Sequence, residues 1–112
     1  MSLELFAGIA VSDLPRAVTW YDALLGEVET FEPNDVERVW TLAEGRHVYV
    51  ELQPEHAGHA KTTLFVADLD GYLAAAAARG THPVREETYD NGVRKALFHD
   101  PDGNEIGIGG AG

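Results

Sequence analysis

The side chains able to do chemistry crowd into one short run. His47, Tyr49 and Glu51 alternate with Val48, Val50 and Leu52, so in a strand the polar set shares one face and the aliphatic set the other. A histidine carries a proton near neutral pH, and His47 is the candidate carrier, with an ordinary rim position as its alternative. Tyr49 offers a flat ring with a polar tip. Glu51 is the candidate catalytic residue, as a general base or as an anchor for a ligand's polar group. Other chemistries find little support. The chain has no cysteine, which removes thiolate nucleophiles, thiolate metal sites and disulfides. No serine sits in a nucleophile elbow, and no glycine pattern cradles phosphate. His56-x-x-His59 lies in a Pro/Gly linker without a third ligand nearby and reads as a solvated loop. His82 beside Pro83 reads the same way. Asp100, Asp102 and Asn104 are spaced too closely for a calcium loop and read as a turn.

The elements that must position these residues repeat along the chain. Ile9-Ala-Val-Ser-Asp13-Leu14 and Leu64-Phe-Val-Ala-Asp68-Leu69 lie 55 residues apart (68 − 13), each an apolar run that meets an aspartate. Asp13 and Asp68 suit helix N-caps, where a carboxylate accepts a free backbone N–H at the positive helix end. Leu14, Ala17, Tyr21, Leu24 and Leu25 then form a stripe at helical spacing that stops at Gly26, and Leu69, Tyr72, Leu73 and Ala76 form another that stops at Gly80. Extended runs follow each helix, at Glu27–Glu32, Val36–Ala43 and His47–Leu52, then at Pro83–Thr88, Val93–His99 and Glu105–Ile108. Each half therefore reads β-α-β-β-β. The fold class expected is α+β, with tandem units at 3–52 and 61–108 forming a half-open, cleft-containing mixed sheet in a single domain of residues 1–112. Gln53–Ala60 is the linker, and Gly109–Gly112 is expected to fray, since four small residues bury little.

Period-two patterning assigns faces. With a tight Glu44-Gly45 hairpin, Leu42 falls near His47 and Trp40 near Tyr49. Similar arithmetic puts Phe98 near Glu105 and Ala96 near Gly107, leaves Leu97, Ile106 and Ile108 facing the helix, and turns His99 away from the cleft. The helix-free face is then expected to mix Trp40, Leu42, Tyr49, Phe65 and Phe98 with Arg38, Glu51, Lys61, Arg94 and Glu105. Apolar walls with a few polar groups suit a ligand cleft, and they suit a subunit interface equally.

Nineteen acidic residues against eight basic ones leave a net charge of −11. Such a surface repels phosphate backbones and anionic lipid, so nucleic acid and membrane are excluded as partners. It favours a small amphipathic, aromatic or cationic molecule. A hydrophobic content of 45% argues for a packed core. Without an export signal or long apolar run, the expected location is cytoplasmic.

The tandem units resemble the vicinal oxygen chelate superfamily of glyoxalases, bleomycin-resistance proteins and extradiol dioxygenases. Two stretches carry the likeness: Phe6–Gly26, with its Trp20-Tyr21-x-x-Leu24-Leu25-Gly26 ending, and Phe98–Ile106, with its Asp-Pro-Asp-Gly-Asn hairpin. The resemblance implies four metal-ligand positions, one on the first and one on the last strand of each unit, which fall here on Phe6, Glu51, Lys61 and Gly107. Only Glu51 among them is a metal ligand, and a two-residue shift to Glu4, Gly8, Thr63 and Glu105 does not rebuild the set. No metal and no cofactor are therefore expected, and the resemblance favours a metal-free binder of a cationic or aromatic antibiotic-like molecule. Its site would comprise Trp40, Tyr49, Glu51, Lys61, Phe98, Phe6, His47 and Phe65, with Glu51 and Lys61 paired across the floor. The competing readings are a metal-dependent lyase, isomerase or dioxygenase with a degenerate ligand set, and a ligand-free dimeric interaction module. A homodimer is implied in each case.

Overall fold

Two aspartates start the two helices, as their places ahead of apolar stripes predict. The structure, a computed structural model, describes residues 2–111. Asp13 accepts the Arg16 N–H at 3.1 Å and opens α1 (Leu14–Leu25), and Asp68 accepts the Gly71 N–H at 3.0 Å and opens α2 (Leu69–Ala78). Gly26 ends α1 with φ at 81°, a backbone state that any side chain would strain. The strands β1 (Leu5–Val11), β2 (Glu29–Asn34), β3 (Glu37–Ala43) and β4 (Arg46–Leu52) form one sheet in the order β1-β4-β3-β2. Beyond a short 3-10 turn at Pro54–His56, β5 (Lys61–Phe65), β6 (Arg85–Thr88), β7 (Val93–His99) and β8 (Glu105–Ala111) form a second in the order β5-β8-β7-β6. In each sheet the first strand runs parallel to the last and the other pairs are antiparallel. The architecture is α+β, with tandem β-α-β-β-β arrangement.

One core joins the helix-covered faces of both sheets. Ile9, Val11, Val48 and Val50 from the first sheet and Ala96, Phe98, Ile106 and Ile108 from the second pack with Tyr21, Leu24 and Leu69 of the helices. Polar groups pin the same junction. The buried Tyr21 hydroxyl donates to Asp100 Oδ2 at 2.7 Å, and burial together with that carboxylate pushes its pKa far up. Asn104 has no exposed surface. Its amide donates to the Ala10 carbonyl at 2.9 Å and accepts from the Gly58 and Ala60 N–H groups, so linker, first strand and last turn are tied together. Arg79, just past α2, donates to the Ala23 carbonyl at 2.7 Å and so satisfies the end of α1.

Three expectations change here. First, the tail is structured: β8 continues to Ala111, and Gly109 and Gly110 are buried, because neighbours roof them. A Cβ on Gly110 would stand 2.9 Å from the Leu69 Cβ. Gly112 lies outside the described residues. Second, Trp40 faces α1 instead of the open side. A bulge between Thr41 and Ala43 inserts one residue, so Thr41 opposes His47 and Trp40 opposes Val48. One extra residue reverses every side chain beyond it. Trp40 is wholly buried, its Nε1 donates to Asp22 at 2.9 Å, and Leu42 packs towards the core. Third, the β7–β8 turn spans Asp100–Asn104, so Phe98 opposes Ile106 and Ala96 opposes Ile108. Phe98 is therefore inside, while Leu97 and His99 take the open side opposite Gly107 and Glu105. The arginines follow: Arg38 sits 5.8 Å from the Trp40 ring centre, and Arg94 pairs with Asp70 of α2 at 2.8 Å.

Among the described residues, no helix is long and apolar enough to cross a membrane.

Candidate functional site

The first open face is built from alternate residues of β1, β4 and β3. Register sets Phe6, Gly8 and Ala10 beside His47, Tyr49 and Glu51, with Thr41, Val39 and Glu37 in the next row. Phe6 stacks on His47, with ring centres 4.1 Å apart. His47 is only 8% exposed and both its ring nitrogens are engaged, Nδ1 with the Thr41 hydroxyl at 2.9 Å and Nε2 with the Glu4 carboxylate at 2.8 Å. A carboxylate can only accept, so Nε2 is the donor in the contact with Glu4. The histidine is thereby a locked wall of the face. Tyr49 lies flat across Gly8: a Cβ at residue 8 would stand 2.5 Å from the tyrosine oxygen and 2.6 Å from the ring. Glycine here admits the ring.

The second open face inverts that arrangement. Lys61, Thr63 and Phe65 of β5 stand beside Glu105, Gly107 and Gly109 of β8, with His99, Leu97 and Lys95 of β7 beyond. Phe65 lies over Gly109, 2.9 Å from where a Cβ would be, and its ring is 66% exposed. Lys95 extends over Gly107, its Cε 2.5 Å from a Cβ position there, with the Thr63 hydroxyl at 3.2 Å from the same point. At the β6 side, Arg85 reaches Glu87 at 3.5 Å and Glu105 at 3.9 Å, and the Tyr89 hydroxyl donates to Glu87 at 2.8 Å. These contacts, the tyrosine hydroxyl foremost, hold the Glu87 carboxyl below its usual range.

Of the eight site candidates, Phe6, His47, Tyr49 and Glu51 thus share the first face, Lys61 and Phe65 share the second, and Trp40 and Phe98 belong to the core. A groove of about 640 Å³ brings three of them together, since His47, Lys61 and Phe65 line it along with Leu5, Leu64 and Tyr72. Among the described residues, Glu51 and Lys61 form no ion pair within 4.0 Å, which corrects the expected floor contact. Lys95 and Leu97 enter the second face unforeseen, beside Thr63. Their signal was the spacing of Gly107 and Gly109, two residues apart and so on one face of a strand.

The donor set does not fit the metal that the fold family's enzymes use. Phe6 offers a ring stacked on His47, the His47 nitrogens are occupied, and Lys61 is a cation. The Lys95 stem covers Gly107. Among the described residues, no three His, Cys, Asp or Glu side chains gather as an ion site.

A family model described as a glyoxalase-like domain matches residues 7–108. The solved glyoxalase/bleomycin resistance protein from Catenulispora acidiphila DSM 44928 is 52% identical, over 99% of this chain and 100% of its own, with a TM-score of 0.94. A bleomycin-binding protein in complex with bleomycin has the same fold at 13% identity and a TM-score of 0.78, over 99% of this chain and 100% of that one. So does an antibiotic-binding protein from Streptomyces sp. CB03234, at 24% identity and 0.74, over 100% and 98%. No curated protein matches the sequence.

Proposed function

The chain belongs to the glyoxalase-like domain family, and from that premise we propose that it is a metal-free binder of a small aromatic or amphipathic molecule, of the antibiotic class. The observation that carries this reading is the aromatic wall of the first open face. Phe6, His47 and Tyr49 are held flat by a stack, two hydrogen bonds and a glycine notch. Flat walls fixed before binding lower the ordering cost of a planar ligand. Glu51 adds a carboxylate beside them on the same face, suited to a cationic group. Support also comes from the fold's company, which includes proteins described as binding bleomycin and an antibiotic.

A homodimer belongs to the same reading. β1 and β5 are edge strands, and they leave Leu5, Phe6 and Phe65 at 61%, 46% and 66% exposure. Exposed apolar edges invite pairing with a second copy. The first open face of one protomer then closes over the second open face of its partner, and the cleft lies between them. Sedimentation is expected to give twice the 12.1 kDa chain mass. A monomer at every concentration removes the dimer from the proposal.

Thermal-shift measurements test the binding itself, with naphthalene-methanol and bleomycin as probes, because a ligand that binds only the folded chain raises Tm. At least one is expected to stabilise the native protein, and Tyr49→Ala to lose that shift while keeping its own cooperative unfolding. An equal shift in native protein and variant would exclude the aromatic wall as the binding surface.

A further inference from the structure

Lys95 ignores its obvious partner. It stands directly across from Glu87 in the β6–β7 register, yet Glu87 is bound by Tyr89 and Arg85, and the lysine runs the other way, onto Gly107. Among the described residues, neither Lys95 nor Lys61 has a carboxylate within 4.0 Å. Glu105, the acid nearest Lys61 in register, is turned to Arg85 instead. The charges on this face are therefore sorted. Acids pair with Arg85 towards β6, while Lys95 leans over Gly107 towards the Thr63 hydroxyl and Lys61 stands two residues before Thr63 on β5.

The floor beneath is built for the same end. Gly107 and Gly109 are buried, and each supports a side chain from a neighbouring strand, Lys95 on the first and Phe65 on the second. An alanine at 107 would lift the lysine away. The exposed Phe65 thus shares its row with Lys95 across Gly109, with Thr63 and Leu97 one row away beside Gly107 and Lys61 two rows away beside Glu105.

We propose that this face of the second unit takes the acidic group of an aromatic acid, with the anion held by Lys61, Lys95 and the Thr63 hydroxyl while the ring lies on Phe65. The inference rests on the small-molecule reading above and narrows it, since the ligand then presents a negative end to this wall. A cationic substituent, where there is one, is left to Glu51 on the other wall.

Three probes of one shape test it by calorimetry on the full chain: naphthalene-carboxylate, naphthalene-methanol and naphthalene-methylammonium. The carboxylate is expected to bind about tenfold tighter than the alcohol, the worth of one charge-assisted hydrogen bond. Its affinity should also fall between about 20 and 300 mM salt, while that of the alcohol stays flat. Lys95→Gln and Lys61→Gln should each reduce the carboxylate's advantage and leave the alcohol within about twofold, because a side-chain amide keeps the length and loses the charge. Circular dichroism confirms the fold of both variants. An alcohol or ammonium probe that binds as tightly as the carboxylate overturns the acid-group inference and leaves small-molecule binding standing. If none of the three binds, both fall.

Discussion

Trp40 and Phe98 occupy the same place in their two units, while Tyr49 and Gly107, matched in the same way, could hardly be less alike. The match follows from register: Trp40 opposes Val48, Phe98 opposes Ile106, and both pairs face the helices. On the other side of the sheets, Phe6 and His47 of the first unit answer to Lys61 and Glu105 of the second, and Gly8 and Tyr49 answer to Thr63 and Gly107. The inner faces thus kept large apolar side chains at equivalent points, because both had to fill one shared core. The open faces were free of that demand and diverged. The first carries its bulk on β4 and its glycine on the edge strand. In the second the glycines are on β8 and the bulk comes from β5 and β7. One wall became aromatic and the other cationic.

The largest test of this contrast is to empty the inner face. Trp40→Ala and Phe98→Ala should each cost about 3–5 kcal/mol, the usual range for removing a large buried aromatic. That is a substantial part of a total stability of about 5–15 kcal/mol. Denaturant titration of both variants is expected to show one cooperative transition, shifted by similar amounts, because the two rings sit in one core. A transition that splits in two, or one variant near native stability, would break the equivalence.

Next in size is the pin between the units. Tyr21→Phe removes the hydroxyl that donates to Asp100, and should cost about 1–2 kcal/mol, as a buried hydrogen bond to a charged group does. The pH dependence has a definite sign. Burial and the Asp100 carboxylate raise the Tyr21 pKa above its ordinary 10.0, so its contribution is complete below pH 10.0 and declines as pH rises beyond that value. Native protein should lose stability on that alkaline limb more steeply than Tyr21→Phe. Parallel limbs would show that Tyr21 adds nothing to the junction.

The helices, caps and sequence of elements along the chain were legible because each has a local signal: Asp13 and Asp68 before apolar stripes, Gly26 and Gly80 after them, and a hairpin turn beginning at Asp100. Face assignment failed at the same point in both units. A strand's parity depends on counting through the turn, and nothing about Leu42 announces a bulge, since a leucine suits either face. One residue of slip moved Trp40 and Phe98 from the cleft to the core. Phe6, His47, Tyr49, Glu51, Lys61 and Phe65 stand on open sheet faces as their alternation predicts, because they lie on β1, β4 and β5, whose parity needed no hairpin. Lys95 stayed hidden for the same reason that Phe98 was misplaced, as both belong to β7.

Smaller again is the effect of filling the two glycine notches. Gly8→Ala and Gly107→Ala should each change stability by about 1 kcal/mol or less, because the side chains they displace sit on open faces. Their binding effects should differ in kind. Displacing Tyr49 from residue 8 should weaken all three naphthalene probes, whereas lifting Lys95 from residue 107 should weaken only the carboxylate, by about tenfold at most. If the two variants gave the same binding profile, the division into an aromatic and a cationic wall would be wrong.

The finest test asks what keeps Lys95 without a partner. The half-buried Glu87 has its pKa lowered first by the Tyr89 hydroxyl, against an opposing desolvation effect, and then by Arg85 and Lys95. Tyr89→Phe removes the leading cause, so the Glu87 pKa should move up towards its ordinary 4.5, as read by NMR titration of its side-chain carboxyl. A depressed carboxyl stabilises the fold above its unfolded pKa and loses that contribution as pH falls through the folded value, so the variant should lose less on acidification. The freed carboxylate can also turn to Lys95, its cross-strand neighbour. A lysine newly paired in this way holds an anionic ligand less well, so naphthalene-carboxylate should weaken by about twofold in the variant, the size of a modest surface charge interaction. Unchanged carboxylate affinity alongside a raised Glu87 pKa would mean that Lys95 is held away from Glu87 by its seat on Gly107 and not by competition from Tyr89.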